Sequence, residues 1–327
     1  MQPRIVDLFA GPGGLDLAAH QLGVPSTGIE QNRDACATRT AVEHATVVGD
    51  VRRYGPADFP DAEILLGGPP CQTFTVAGQG AGRAQLDLVL ALAKRLAARE
   101  DITDALAALT DPRTALVLEP LRWALDAIDA GRPYEAIVLE QVPAVLPVWE
   151  AYAEILRAEG YGAVCGVLRA EEYGAPQTRR RAALIARHGA PAALPAPTHR
   201  RYVKGIPQEA GDPALLPWVS MGDVLDRGPF TAVSNYGTGG DPAKRGRRTS
   251  AEPAFTVTGK INRLRLYRDG RELDRLSPAE AGLLQGFPAD YPWTGSDIPQ
   301  QIGNAVPIPL GRAILAAALP VPAGAAA

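Results

Sequence analysis

Short apolar runs and helical stretches alternate along the first half of the chain. RIVDLF (4–9) is an apolar run closed by Gly-Pro-Gly-Gly, the pattern of a buried strand entering a turn. LDLAAHQL (15–22) then has helical spacing. STGIE (26–30), ATVVGD (45–50), EILLGG (63–68) and EAIVLE (135–140) predict four more strands, most of them separated by helical segments. An Ala/Leu-rich stretch at 84–109 predicts two short helices broken near Asp101-Ile102-Thr103. A helix is expected over 149–159, then a strand pair around 161–169 and 182–187. Strands alternating with helices predict a parallel, doubly wound α/β sheet. Ligands of such sheets sit at the carboxyl ends of the strands, where Asp7, Glu30, Asp50, Cys71 and Glu140 fall.

The pattern changes after His188. Pro, Gly and Arg rise, and helical periodicity lapses until about Ser277. A second, smaller domain is therefore expected at 189–275, with 1–188 plus 276–320 forming the larger one and 321–327 a disordered tail. SPAEAGLLQGF (277–287) starts with a Ser N-cap, Pro at the first helical position and Glu three residues after the cap. GRAILAAAL (311–319) predicts a final helix.

Composition narrows the class. Of 327 residues, 46% are hydrophobic and 21% charged, as in a soluble globular protein. No apolar run is long enough to span a bilayer, and MQPRIVDLFAG reads directly into a strand, so a cytoplasmic protein without a membrane partner is expected. Cys36, Cys71 and Cys165 form no C-x-x-C pair, and the four histidines show no ligand spacing, which argues against a disulfide framework or a metal site. The net charge of −3 hides a segregation: residues 179–275 hold 18 Lys/Arg against 9 Asp/Glu, a net of +9, and the remainder carries −12. Such a segment suits a polyanion on one face, and an ordinary solvated surface fits about equally well.

The turn DLFAGPGGLDLA (7–18) lets backbone approach a ligand closely at a helix N-terminus, although its spacing is not the full G-x-G-x-x-G. Glu30 ends the next strand, where a carboxylate can accept ribose hydroxyls, and Asp50 ends the third, where it could meet an adenine amino group. This series suits an adenosyl ligand; for each acid singly, a helix cap or a surface charge is an even alternative. GGPPCQTFTVAG (67–78) is more specific, because Cys71 follows a rigid Gly-Gly-Pro-Pro directly after a buried strand. A thiolate there could be a nucleophile if its pKa is lowered.

With these residues in view, the chain resembles the DNA cytosine-5 methyltransferase family. Pro-Pro-Cys-Gln follows the glycine turn by about 60 residues, and further blocks occur in the family order: Asp111-Pro112-Arg113, LEQVP (139–143), QTRRR (177–181), LQGFP (284–288) and QIGNAVP (301–307). The resemblance covers nearly the whole chain except about 190–255. It implies an α/β, Rossmann-like class I S-adenosylmethionine-dependent methyltransferase domain with a small, mostly irregular or β target-recognition domain. It implies S-adenosyl-L-methionine as cofactor and double-stranded DNA as partner, with a monomer expected. Cys71 would add to C6 of a flipped cytosine, making C5 able to take the methyl group. Glu140 would hydrogen-bond or protonate N3, Arg181 would contact O2, and Arg179, grouped with these catalytic residues, would brace the site. Asp7, Phe9, Gly11, Gly13, Gly14, Leu15, Glu30, Asp50, Val51, Pro69, Asn304 and Val306 are the expected cofactor-binding residues. Gln72, Thr75, Arg247, Arg248, Lys260, Asn262 and Arg263 are the expected DNA contacts, with Gln72–Gly82 as a loop closing on the base. FTVTGKINRLRLYR (255–268) alternates like a strand.

Three departures stand out. Gln141 occupies the position where the family usually has Asn, Thr75 replaces Ser, and the 84–109 stretch is longer than usual. Whether the chain partners a restriction endonuclease encoded nearby or acts alone is not written in the sequence. A tRNA-methylating enzyme of the same fold, an inactive DNA-binding regulator and a nicotinamide oxidoreductase are the competing readings. Retention of Cys71, Glu140 and Arg181 argues against the regulator.

Overall fold

The computed structural model describes residues 4–70, 79–109, 111–237, 241 and 244–319. Cys71, Gln72 and Thr75 lie outside the described residues, as does the tail 321–327. The main sheet has seven strands: β1 (Arg4–Leu8), β2 (Ser26–Glu30), β3 (Thr46–Val48), β4 (Ala62–Gly67), β5 (Ala136–Gln141), β6 (Tyr161–Arg169) and β7 (Arg180–His188). Their order is β3-β2-β1-β4-β5-β7-β6. The first five in that order run parallel, whereas β7 is antiparallel to both β5 and β6. The expected all-parallel sheet is thus corrected at one edge. Strand direction depends on the connection, and the β6–β7 link is too short for the crossover that a parallel pair needs.

Period-two alternation sorts each strand between two layers. Val6, Leu8, Leu65, Ile137 and Leu139 pack with one core cluster, together with α3 (Gln79–Ala97), α5 (Glu119–Asp129) and α6 (Leu146–Ala158). Ile5, Ile64, Leu66, Ala136 and Val138 pack on the other side with α1 (Gly14–Gln21) and α10 (Ile308–Ala318). α2 (Arg33–Ala41) follows β2, with Asn32 capping its N-terminus by accepting from Ala35 N. The 84–109 stretch is one long helix, α3, and a short α4 (Thr103–Ala107), with the break where the sequence places it.

The smaller unit is a four-stranded antiparallel sheet in the order β11-β10-β8-β9, from β8 (Thr231–Gly237), β9 (Arg245–Thr249), β10 (Arg265–Arg268) and β11 (Arg271–Glu272). It carries one helical turn, α7 (Met221–Val224). The strand expected over 255–268 forms only at its end: 261–263 is a 3₁₀ turn, so its exposed polar residues flank a turn. The core of this unit does not stop at 275. Met221, Phe230, Ala232 and Leu266 pack with Ala281, Leu284 and Ile302, from α8 (Pro278–Leu283) and α9 (Ile298–Asn304) or beside them. The two units therefore share a packed seam. No helix among the described residues is long and apolar enough to cross a membrane.

Candidate active site

The carboxyl ends of β1, β2, β4 and β5 converge on one edge. After Leu8 the chain turns through Phe9 and Gly11, both at positive φ (62° and 55°), then Gly13 at 101°, into α1. A non-glycine residue held left-handed, like Phe9, marks a backbone fixed by its surroundings. Gly14 must be glycine for packing: a Cβ would stand 2.8 Å from the Val306 carbonyl oxygen. The C-terminal QIGNAVP segment is thereby pressed onto the turn.

Glu30 ends β2 and accepts from three backbone N–H groups: Gly11 at 2.8 Å, Gln31 at 2.8 Å and Asn32 at 2.7 Å. A carboxylate has about four acceptor sites, so capacity for a hydroxyl remains. Gly11, Pro12, Glu30, Asn32, Asp34, Ala35, Asp297 and the α9 residues Gln300, Gln301 and Asn304 line a cavity of about 100 Å³. Gln300 Nε2 donates to Asn304 Oδ1 at 2.7 Å. Backbone N–H groups, a carboxylate and amides around small apolar residues form a donor and acceptor set that fits an adenosyl ligand. A larger cavity of about 370 Å³ lies between α3, α4 and α5. Its arginines are already paired, Arg99 with Asp129 and Arg122 with Glu119.

Several expected cofactor residues have buried or already engaged side chains. The side chains of Leu15, Val51 and Val306 are core, at 4%, 3% and 7% exposure. They sit on buried faces of the elements that carry the turn and shape the site from behind. Asp7 is buried beneath the turn and does not line the cavity. Asp50 is gripped by its neighbour Arg52, which donates Nε to Oδ1 at 3.0 Å; this contact holds the carboxyl below its usual range. Sequence reasoning missed Gln300 and Asp34. Gln300 had a signal, since it lies four residues before Asn304 on the same helix face.

The second half of the site is at the end of β5. Glu140 and Arg181 project to the same side of the sheet from neighbouring antiparallel strands, with Glu140 opposite Ala183. Diagonal side chains of that parity reach each other. Arg181 Nε lies 2.7 Å from Glu140 Oε1, but the N–H is not aligned as a hydrogen bond. Burial pushes the Glu140 carboxyl up, against the opposing pull of Arg181 and Arg179. Next to it, Gln141 donates Nε2 to the Pro69 carbonyl, two residues before Cys71, and its Oε1 accepts from Val142 N at 2.6 Å. The extra methylene of Gln thus spans from β5 to the Pro-Pro segment. Pro69 is buried there.

Arg179 turns away from the strand end, donating to the Val257 carbonyl at 2.6 Å and the Gly303 carbonyl at 2.9 Å. Gln177, fully buried, donates to Leu284 O and Gln285 Oε1, both at 2.6 Å, and accepts from Val257 N at 2.9 Å. Gln285 continues to the Ile302 carbonyl at 2.5 Å. QTRRR, LQGFP and QIGNAVP are therefore stitched together by buried amide and guanidinium groups. Sequence reasoning recognised the blocks and missed this linkage.

Of the expected DNA contacts, Arg247, Lys260, Asn262 and Arg263 are exposed. Arg248 is not available in the same way. Its guanidinium lies between the rings of Tyr202 (4.8 Å) and Phe255 (4.4 Å) and donates to Thr178 Oγ1, Pro253 O and Ala254 O. It is a brace between the small unit and the QTRRR segment.

The C-5 cytosine-specific DNA methylase family model matches residues 3–100 and 229–319, more than half of the chain. Type II methyltransferase M.NlaX of Neisseria lactamica is 28% identical, over 95% of this chain and 94% of its own. Type II methyltransferase M.SsoII of Shigella sonnei is 26% identical, over 95% of this chain and 78% of its own. Among solved structures, the S. pombe Dnmt2 methyltransferase superposes with a TM-score of 0.64 at 16% identity, covering 97% of this chain and 98% of that one. A putative DNA modification methyltransferase encoded within an E. coli prophage gives 0.61 at 17% identity, over 96% and 97%. The fold, the cavity at the glycine turn and the family match agree: this chain belongs to the C-5 cytosine-specific DNA methylases, which methylate DNA cytosine at C5 with S-adenosylmethionine.

Proposed function

We propose that this chain methylates cytosine within a specific duplex sequence, with Cys71 as nucleophile and Glu140 as the acid that meets N3. The observation that carries this reading is the buried Glu140–Arg181 pair beside Gln141, whose amide holds the carbonyl of Pro69 just ahead of Cys71. The bound cofactor supplies an electrophilic methyl group on its sulfonium. The Cys71 thiolate forms a bond to C6, and the ring electrons move toward C5 and N3. Burial raises the Glu140 carboxyl against the pull of Arg181 and Arg179 and so favours the acid form, which can donate its proton to N3 as a carboxylate could not. Arg181 faces the same space and can take the cytosine O2. C5 would then attack the methyl carbon as its bond to sulfur breaks and S-adenosylhomocysteine leaves. N3 would return its proton to Glu140, and loss of the C5 proton to water would expel the Cys71 thiolate from C6. Glu30 and Asn304 line the same cavity and would hold the cofactor there.

The relatives' names place them in Type II systems, which supports a sequence-specific modification role here too, alongside an endonuclease or alone. The test is a trap. Duplex DNA with 5-fluorocytosine at candidate sites is incubated with the enzyme and S-adenosylmethionine. Fluorine cannot leave C5 as a proton does, so the enzyme should remain covalently attached through Cys71, and Cys71→Ser should give no adduct. An adduct on another residue, or full methylation by Cys71→Ser, would sink the assignment. Adducts formed only on tRNA would move the substrate to RNA.

A further inference from the structure

Beneath the glycine turn lies a charged cluster that neither the cofactor cavity nor the cytosine site uses. Asp16 on α1 and Arg39 on α2 are fully buried. Arg39 Nη1 donates to Asp16 Oδ2 at 2.5 Å and Nη2 to Oδ1 at 3.0 Å, while Ser26 Oγ donates to Oδ1 at 2.7 Å. Arg39 also donates Nε to Thr46 Oγ1 at 2.9 Å and Nη2 to the Ala45 carbonyl at 3.1 Å. The guanidinium fills the space under the turn. A Cβ on Gly28 would stand 2.1 Å from Arg39 Nη2 and 2.5 Å from Ala10 Cβ.

Asp7 projects into this cluster from β1, 1% exposed, and neither of its oxygens receives a hydrogen bond from any described donor. It lies within hydrogen-bonding reach of Asp16. Two carboxylates can only accept, so their contact is repulsive unless one carries a proton. The other titratable groups around it do not compensate. Arg39 is the one buried cation here among the described residues, and it is committed to Asp16. His44 packs on Gly13, and its buried Nε2 has no partner; burial disfavours its charged form against the pull of Asp16. His20 adds a further repulsion toward a charged His44, and Glu30 adds negative charge toward Asp7. Tyr291, from the C-terminal segment, gives its hydroxyl proton to the Pro12 carbonyl at 2.5 Å.

We propose that Asp7 is held as the neutral acid and donates its proton to Asp16, so that two acids and one guanidinium form a neutral base on which the cofactor-binding turn rests. Asp7 is then a positioning residue, acting through Asp16 and Arg39. The shared proton satisfies Asp7 and leaves Asp16 with the whole charge of Arg39. Loss of that proton places a second negative charge directly under the turn. Burial and the Asp16 charge both act to keep the proton on. A group whose folded pKa is raised contributes stability that is present at low pH and is lost as pH rises through the folded value.

Three measurements on the full chain test this. The infrared difference spectrum of wild type minus Asp7→Asn at neutral pH should show a carboxylic-acid C=O band, lost in the variant. Asn copies the neutral acid and can donate to Asp16, so S-adenosylhomocysteine affinity should stay within about threefold. As pH rises above the ordinary carboxylate range, the thermal midpoint of wild type should fall more steeply than that of Asp7→Asn. A wild type without the band overturns the proposal. So does a folded Asp7→Asn that binds about tenfold more weakly, since a charged Asp7 would then be a ligand itself. None of these readouts needs DNA or Cys71, so they stand apart from the assignment of the nucleophile.

Discussion

At the residue scale, the proposed chemistry rests on one carboxyl. Glu140 differs from the other acids of the site in having no backbone N–H to hold it ionised. Glu30 accepts three such bonds, whereas Glu140 has only a poorly aligned guanidinium in a buried setting. Environment thus separates two glutamates at strand ends of one sheet into an acceptor and a proposed donor. Glu140→Gln should lower kcat by about 10² to 10⁴, since the amide cannot protonate N3, and should leave cofactor affinity unchanged. In wild type, kcat should decline on the alkaline side through a pKa above the ordinary carboxylate range, because the acid form is the active one. A kcat unaltered by the substitution would remove Glu140 from the chemistry. Both glutamates were legible in the sequence because each ends a predicted strand. The burial of the Leu15, Val51 and Val306 side chains was not legible in the same way. A motif gives position along the chain, but whether a side chain faces the ligand or the core depends on the layer packed behind it.

At the scale of elements, the blocks recognised in the sequence turn out to be held by one another. Arg179 reaches Val257 and Gly303, and Gln177 reaches Leu284, with partners 78 to 124 residues away. No local pattern encodes contacts at such separations. Arg248 is the clearest case. The sequence made it an expected DNA contact within the basic run KRGRR, and only the tertiary fold supplies Tyr202 and Phe255 on either side of it. The reversal of β7 was hidden for the same reason, because a strand's apolar pattern reads identically in either direction. Arg248→Ala should destabilise the protein by about 1 to 3 kcal/mol, through removal of the ring packing and of hydrogen bonds to buried carbonyls. Its DNA affinity should keep the salt dependence of wild type. A variant of unchanged thermal midpoint whose salt dependence weakens would return Arg248 to the DNA.

At the scale of the molecule, charge and packing divide the work. The net +9 of residues 179–275 against −12 elsewhere orients the chain toward a polyanion without making it basic overall. Part of that positive charge is neutralised internally, Arg227 by Glu280 and Arg265 and Arg275 by Glu272. Arg247, Lys260 and Arg263 are exposed, with no ion pair among the described residues. These three are the candidates for binding the DNA backbone. Removing one cation that neutralises a phosphate should reduce the slope of log K against log salt by about 0.9. Lys260→Ala and Arg263→Ala together should therefore flatten the slope by about 2, weakening all duplex sequences alike. A pair of substitutions that leaves the slope intact but changes which sequence is methylated would instead place these side chains on base edges. The comparison with Arg248→Ala then tells a charge that meets DNA from one that holds up the surface beside it.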